Sequence, residues 1–421
     1  MKIRKTFWVF LFILLIAYLA GKQFEFQLIN KLIYAILVQI IIAWFWARMS
    51  LNGIKFKRSA RSYRKETGEI FEERFRVENA SKYLKSWIEL IDQSDLPGNN
   101  GSRIMAWIGR RELRNYSAYT LLTKRGKYNL CPTSVKSGDP FGFFEKSMAV
   151  DEPQSLLVLP VGYKICHFPL PVGYLPGGKS IRKKTTAITP HASGIREYLP
   201  GDSLNRIHWK KSAQRGHLIS KEFEEDPQSD VWIILDSQRI AHTNVIEEEI
   251  KTIDGPLWSM KKNSAYSLPC DTYEYAVSIA ATLSDYFIRI GQGVGFHNYG
   301  KQSLLIPPEK GYRQLQKILE TLAFVNADGE NSLIATITGY IQQITPGSLV
   351  IIISTQLSDG LDLTAAYLKL RKISPYYLLL ENSTFTDKIE SNPDIRVEFQ
   401  KMGVANKSIC FGDSISSILE Q

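Results

Sequence analysis

The densest chemistry in the chain lies in one block, 194-GIREYLPGDSLNRIHWKKSAQRGHLISKEFEED-226. Within it Arg196, Glu197, Asp202, Arg206, His208, Lys210, Lys221, Glu222 and Glu224 bring both charge signs together. His208 with Asp202 or Glu222 has the makings of a general acid–base pair, because imidazole titrates near neutral pH and a carboxylate can orient it. The Arg and Lys side chains suit a phosphate or a partner's carboxylate, to which they donate charge-assisted hydrogen bonds. A nucleophile is harder to name. Ser212 has no G-x-S-x-G setting, and no cysteine is close in sequence. The same residues also read as a structural ion-pair network joining two domains, with Tyr198, Trp209 and Phe223 as its apolar floor. The partner-binding candidates are therefore Arg196, Glu197, Asp202, Arg206, His208, Trp209, Lys210, Lys221 and Glu222.

Elsewhere the chemistry is sparse. His167, His191, His217, His242 and His297 show no ligand spacing such as HExxH. There is no GxxxxGK[ST] and no GxGxxG after a strand, so ATP hydrolysis and dinucleotide binding have no support, and no cofactor is expected. Cys131, Cys166, Cys270 and Cys410 are widely separated, without CxxC spacing, and read as core residues of a reducing compartment.

These residues need elements to hold them. Thr6–Gly21 and Leu32–Ala47 are apolar runs bounded by Lys5 and Lys22 and by Lys31 and Arg48. They predict a transmembrane helical hairpin over residues 1–50. The chain carries a net charge of +10, and residues 1–66 hold twelve Lys and Arg against two acids, so the whole excess sits there. The positive-inside rule then places both termini in the cytoplasm of a two-pass bacterial inner-membrane protein, with the lipid bilayer as a partner. The remainder is electrically balanced, which argues against nucleic acid.

Residues 51–160 alternate as short strands. Phe71, Phe75 and Val77 oppose Glu72, Arg74 and Arg76, and turn-rich stretches intervene, which predicts an antiparallel β-sandwich-like domain. Residues 161–228 hold the polar block and fit no single period. From 229 to 421 buried-strand runs (Val231–Leu235, Leu349–Ile353, Tyr376–Leu380) alternate with helical ones (Thr272–Ile290, Tyr312–Leu322, Leu333–Gln343, Leu361–Lys372). That alternation predicts an α/β doubly wound sheet. The fold class expected is thus α+β multidomain.

Gly194, Arg196-Glu197-Tyr198, Pro200-Gly201-Asp202, Arg206, His208-Trp209-Lys210, Ser212-Ala213 and Lys221-Glu222-Phe223-Glu224 resemble the signature of the bacterial family known as domain of unknown function 58. Arg125-Gly126 and Asp139-Pro-Phe-Gly142 fit the same pattern. The resemblance implies a membrane-anchored companion of MoxR-type AAA+ ATPases and of transglutaminase-like membrane proteins, with a von Willebrand factor A-like C-terminal domain and no agreed activity. Such domains bind Mg²⁺ through Asp-x-Ser-x-Ser after the first strand, using hard oxygen ligands. Here that position reads Asp236-Ser237-Gln238-Arg239-Ile240, with both motif serines replaced. Asp236 and Ser237 are weak metal candidates, and Ser354, Thr355 and Asp359 offer ordinary loop oxygens, so a degenerate site without metal is expected. The leading expectation is a membrane-anchored cytoplasmic scaffold docking a MoxR-type ATPase or another partner. The alternative is a membrane-surface hydrolase using His208.

Overall fold

The computed structural model describes residues 1–24, 27–150, 153–170, 184–185, 192–199, 203–224, 230–243, 267–301, 303–355, 357–358, 360–386 and 394–421. They form two compact units, Met1–Leu159 and Pro160–Glu247 with Leu268–Gln421.

Unit 1 begins with β1 (Lys2–Ile3), α1 (Lys5–Phe24) and α2 (Gln27–Met49). Ten strands follow: β2 (Ile54–Ala60), β3 (Arg64–Glu66), β4 (Ile70–Asn79), β5 (Lys85–Asp92), β6 (Arg103–Ile108), β7 (Leu113–Leu121), β8 (Gly126–Asn129), β9 (Thr133–Gly138), β10 (Phe144–Val150) and β11 (Ser155–Leu159). They make three sheets, ordered β1-β10-β9-β5-β6, β2-β4-β7 and β3-β11-β8. Ile88, Leu90, Met105, Ile108 and Val135 of the first sheet pack on Ile54 and Val77 of the second. Phe71 of the second packs with Leu156 and Val158 of the third.

The inward face of β4 also carries Glu73, in step with Phe71 and Phe75 and almost fully buried. A lone buried carboxylate would be costly. Arg58 of β2 answers it, donating to Glu73 Oε1 at 2.7 Å and gripping Asp92 of β5 through two bonds of 2.9 and 3.0 Å. Burial still pushes the Glu73 carboxyl above its ordinary range, against the pull of Arg58.

The transmembrane hairpin is not supported. Among the described residues no helix is long and apolar enough to cross a membrane. Each uncharged run is 16 residues, or about 24 Å of helix against a hydrocarbon core of about 30 Å. One stripe of the pair is also committed to protein: Ala43, Ala47, Phe7, Phe10 and Ile40 pack on Phe143 and Phe144. Lys85 Nζ, itself buried, donates to the last-turn carbonyl of Met49 at 2.7 Å, where the helix dipole favours a cation. The other faces expose large apolar side chains, among them Trp8, Phe12, Ile41 and Phe45. The two-pass inner-membrane placement, and the reading of the charge excess as its orientation signal, fall with the hairpin.

Unit 2 contains β12 (Lys184–Thr185), β13 (Ala192–Glu197), α3 (Trp209–Arg215) and β14 (Ile219–Glu224), with sheet order β12-β14-β13. Then come β15 (Val231–Leu235), α4 (Thr272–Arg289), β16 (Val294–Tyr299), β17 (Ser303–Glu309), α5 (Tyr312–Phe324), α6 (Leu333–Tyr340), β18 (Leu349–Thr355), α7 (Leu361–Leu370), β19 (Ser374–Leu380), α8 (Asn382–Phe385), α9 (Asp394–Lys401), β20 (Ala405–Ile409) and α10 (Ile415–Glu420). Six of these strands form one sheet, β17-β16-β15-β18-β19-β20, parallel except for the β17 edge. Every residue of β15 and β18 is buried, as expected of strands covered on both faces.

The four cysteines are not core residues: Cys166 is exposed and the other three are half-buried. The transmembrane hairpin aside, the molecule is a mixed α/β protein with many strands.

Candidate functional site

The polar block is held as a small β-hairpin with a helix laid into its connection. β13 and β14 run antiparallel, with Arg196 opposite Ser220 and Glu197 opposite Ile219. Between them a 3-10 turn (Leu204–Arg206) leads to His208, the N-cap of α3. His208 Nδ1 accepts from the Lys211 amide at 3.4 Å, satisfying one of the free donors of the first helical turn. Ser212 Oγ donates to the His208 carbonyl at 3.1 Å and accepts from the Ile219 amide at 2.9 Å. The His208 amide donates to Ile219 O at 2.8 Å. α3 ends at Gly216, whose φ of +72° is the left-handed cap that glycine takes without a Cβ penalty.

This geometry commits His208 Nδ1 and the Ser212 hydroxyl to structural bonds. The His208 Nδ1 lone pair serves as the helix cap. Ser212 is buried, and its hydroxyl both donates and accepts within the protein. The side chains of Asp202, Arg206, Glu222 and Phe223 lie outside the described residues. Arg196 donates to the Glu197 carbonyl at 3.0 Å, and Glu197 lies 3.7 Å from exposed His217. Lys210 is exposed and Lys221 half-buried.

Trp209 does not form an apolar floor. It stands at the first position of α3 with 65% of its surface exposed. Ile195, Leu199, Leu204 and Leu218 are exposed too. The Tyr198–Leu218 and His208–Ile219 backbone bonds hold these stretches side by side. Lys210, Lys211 and Arg215 supply exposed cations on the same helix. The block exposes apolar and basic side chains together with the Glu197 carboxylate.

The second candidate region is the carboxyl end of β15. Asp236 is fully buried there, where the order of strands reverses between β15 and β18. Its Oδ1 accepts from the Gln238 amide at 2.9 Å and Tyr299 OH at 3.1 Å, and its Oδ2 from Ser354 Oγ at 2.5 Å. Burial beside this carboxylate raises the Tyr299 phenol far above its usual range. Ser237 Oγ meets Tyr273 OH at 2.8 Å and donates to Asn298 Oδ1. His242 Nε2 donates to the Asp236 carbonyl at 2.8 Å, and burial lowers its pKa against the pull of Asp236.

The oxygens that a metal would need are thus engaged by protein donors. Among the described residues no group of three or more His, Cys, Asp or Glu is placed to hold a metal ion. Asp359 lies outside the described residues. Tyr299 and Asn298 were missed in the sequence, where they follow His297 at the end of a strand, and His242 was read there only as a histidine without ligand spacing.

Both regions fall inside one family match. Residues 194–253 and 257–373 match the family described as protein of unknown function DUF58. The match covers the block and the Asp236 network but not Arg125–Gly126 or Asp139–Gly142. Asp139 has a local role instead, its carboxylate accepting from the amides of Phe141, Phe143 and Phe144 in the β9–β10 turn. The uncharacterized protein YeaD of Bacillus subtilis is 22% identical over 234 residues, 55% of this chain and 50% of YeaD. The chain therefore spans about half the length of that curated relative. Among solved structures, proximal thread matrix protein 1 from the mussel byssus aligns with a TM-score of 0.30 at 11% identity, over 46% of each chain. The CARDB domain of the PF1109 protein from Pyrococcus furiosus aligns with a TM-score of 0.19 at 10% identity, over 25% of this chain and 91% of that one. Scores this low carry no argument about fold.

Proposed function

We propose that unit 2 is a docking module without chemistry of its own, binding a partner protein through the surface around α3. The observation that carries this reading is Trp209, held outward by a capped helix whose His208 and Ser212 are spent on holding it. Exposed tryptophan flanked by cations is the composition of an interface hot spot. The partner to test first is a MoxR-type AAA+ ATPase, with a transglutaminase-like membrane protein second, because the signature residues resemble a family with such companions. The proposal includes a von Willebrand factor A-like fold for unit 2. In its favour are the order β17-β16-β15-β18-β19-β20 and an aspartate closing the central strand.

The test is a pull-down and titration of the full chain against the ATPase. Trp209→Ala weakens binding about tenfold or more, as loss of a hot spot of about 2 kcal/mol requires, with an unchanged melting temperature. Lys210→Glu weakens it in the same direction. Wild-type affinity in both variants overturns the docking surface. A hydrolytic activity lost in His208→Ala, with partner binding intact, replaces docking by catalysis.

A further inference from the structure

A separate surface lies in unit 1, at the junction of β6 and β7. Trp107 has φ = +53°, a left-handed conformation that is rare for a bulky side chain, and Arg111 shares it. The β5–β6 register passes from Lys85–Ile108 to Trp87–Ala106 without a shift, so Trp107 is not an inserted bulge residue. By simple alternation it would point inward with Met105. Instead Ile108 takes the inward place, fully buried, and Trp107 is turned out with 63% of its surface exposed. A fold seeking only stability would bury the indole; here backbone strain displays it. Strain of this kind collects where a side chain must be presented.

The display is braced from behind. Arg114 donates to the carbonyls of Ala106 at 2.8 Å and Trp107 at 2.9 Å, and is itself held by Glu112 at 2.7 Å. Asn79, fully buried, donates to Gly109 O and Tyr83 O, both at 2.8 Å. Exposed Ile104 and Leu113, paired with half-buried Glu89 and Glu78, extend the apolar surface, and Arg110 and Arg111 are exposed in the turn beside Trp107, while Arg103 lies over the Tyr116 ring at 5.3 Å. Glu112, the acid within the tip, is engaged with Arg114 and the Gly109 amide.

We propose that the Trp107 tip docks an acidic peptide segment of a partner protein, its carboxylates meeting the arginines and an apolar side chain meeting the indole. The occupant follows from charge: two exposed cations, Arg110 and Arg111, follow the exposed indole in the same turn, and Trp and Arg are the residues that concentrate binding energy at interfaces. This inference does not rest on the α3 surface, and variants at one site leave the other unchanged.

The probe is a fluorescein-labelled peptide of Glu, Phe and Leu, titrated into the full chain and followed by anisotropy, with Gln-for-Glu and Lys-for-Glu peptides beside it. The acidic peptide alone binds. Trp107→Gly weakens it at least tenfold, yet raises the unit 1 melting temperature by about 2–4 °C because glycine relieves the left-handed strain. Arg110→Glu with Arg111→Glu weakens it as much, while Lys55→Glu with Lys57→Glu, in the basic N-terminal region, changes it less than twofold. The proposal is overturned by any of four results: no binding at millimolar peptide, equal binding of the Gln peptide, loss confined to the Lys55/Lys57 variant, or a Trp107→Gly chain that melts lower than wild type.

Discussion

The Asp236 network permits a sharp test, because two substitutions of one residue have very different expected costs. In Asp236→Ala the Gln238 amide and Tyr299 OH lose their acceptor in a fully buried site. Ser354 Oγ keeps an alternative in the Thr355 carbonyl at 3.3 Å. Two orphaned donors at roughly 1–3 kcal/mol each predict a loss of about 4 kcal/mol. Asp236→Asn behaves differently. Its amide oxygen replaces Oδ1 for Gln238 and Tyr299, its NH2 donates to Ser354 Oγ, and that hydroxyl turns to Thr355; the expected cost is about 1 kcal/mol. The assay is urea unfolding followed by tryptophan fluorescence, with Trp232, 2% exposed on the same strand β15, as an internal reporter. With a slope of about 2–3 kcal/mol per molar, alanine lowers the midpoint by roughly 1.3–2 M and asparagine by roughly 0.3–0.5 M. Magnesium at millimolar concentration leaves the wild-type midpoint in place. If asparagine proves as damaging as alanine, and magnesium stabilises only the wild type, then the charge serves a cation and the hydrogen-bond reasoning fails.

Three further outcomes follow from the same packing. His297 is buried on β16 with its pKa lowered from 6.5 to about 4, by burial, so its folded form resists protonation more than the unfolded chain does. Stability is then complete above pH 6.5 and falls by up to about 3 kcal/mol as pH drops toward 4; in His297→Phe, chemical denaturation across that range shows a shallower decline. Arg58→Met leaves buried Glu73 and Asp92 without their cation and costs about 3–5 kcal/mol at pH 7. Because burial already raises the Glu73 pKa, protonation relieves that penalty, and the gap to wild type in urea midpoint narrows as pH falls toward 4; a gap that widens contradicts the assignment. In Gly329→Ala the new Cβ would stand 2.6 Å from Tyr299 O and 2.9 Å from Ser237 O, both backbone, so the loop shifts. A loss of about 1–3 kcal/mol and faster amide exchange at Arg239 check it.

Much of unit 2 was legible from periodicity. The runs Val231–Leu235 and Leu349–Ile353 lie within fully buried strands, and the Thr272 helix begins at its Asp271 cap. β17 was not foreseen, because its Pro307-Pro308 and mostly exposed or half-buried residues break the buried-strand pattern. The hairpin expectation failed on the length of the apolar runs and on the protein that covers one stripe of them. In the block, the expected apolar floor at Trp209 did not form. Hydrophobicity argues for burial, and only the capped helix shows the indole facing outward.

The sequence by itself marked the strongly periodic helices and the buried strands, because those patterns depend on neighbours two to four positions away. It also determined where charge and polar chemistry concentrate. Tertiary structure alone decided which polar groups meet. Arg58 finds Glu73 fifteen residues away and Asp92 thirty-four away, and Asp236 finds Ser354 at a separation of 118. It alone turned Trp107 out of its strand. Such pairings carry their energy only when distant residues are buried together, where an unpaired donor or charge is costly, and no local pattern encodes that juxtaposition.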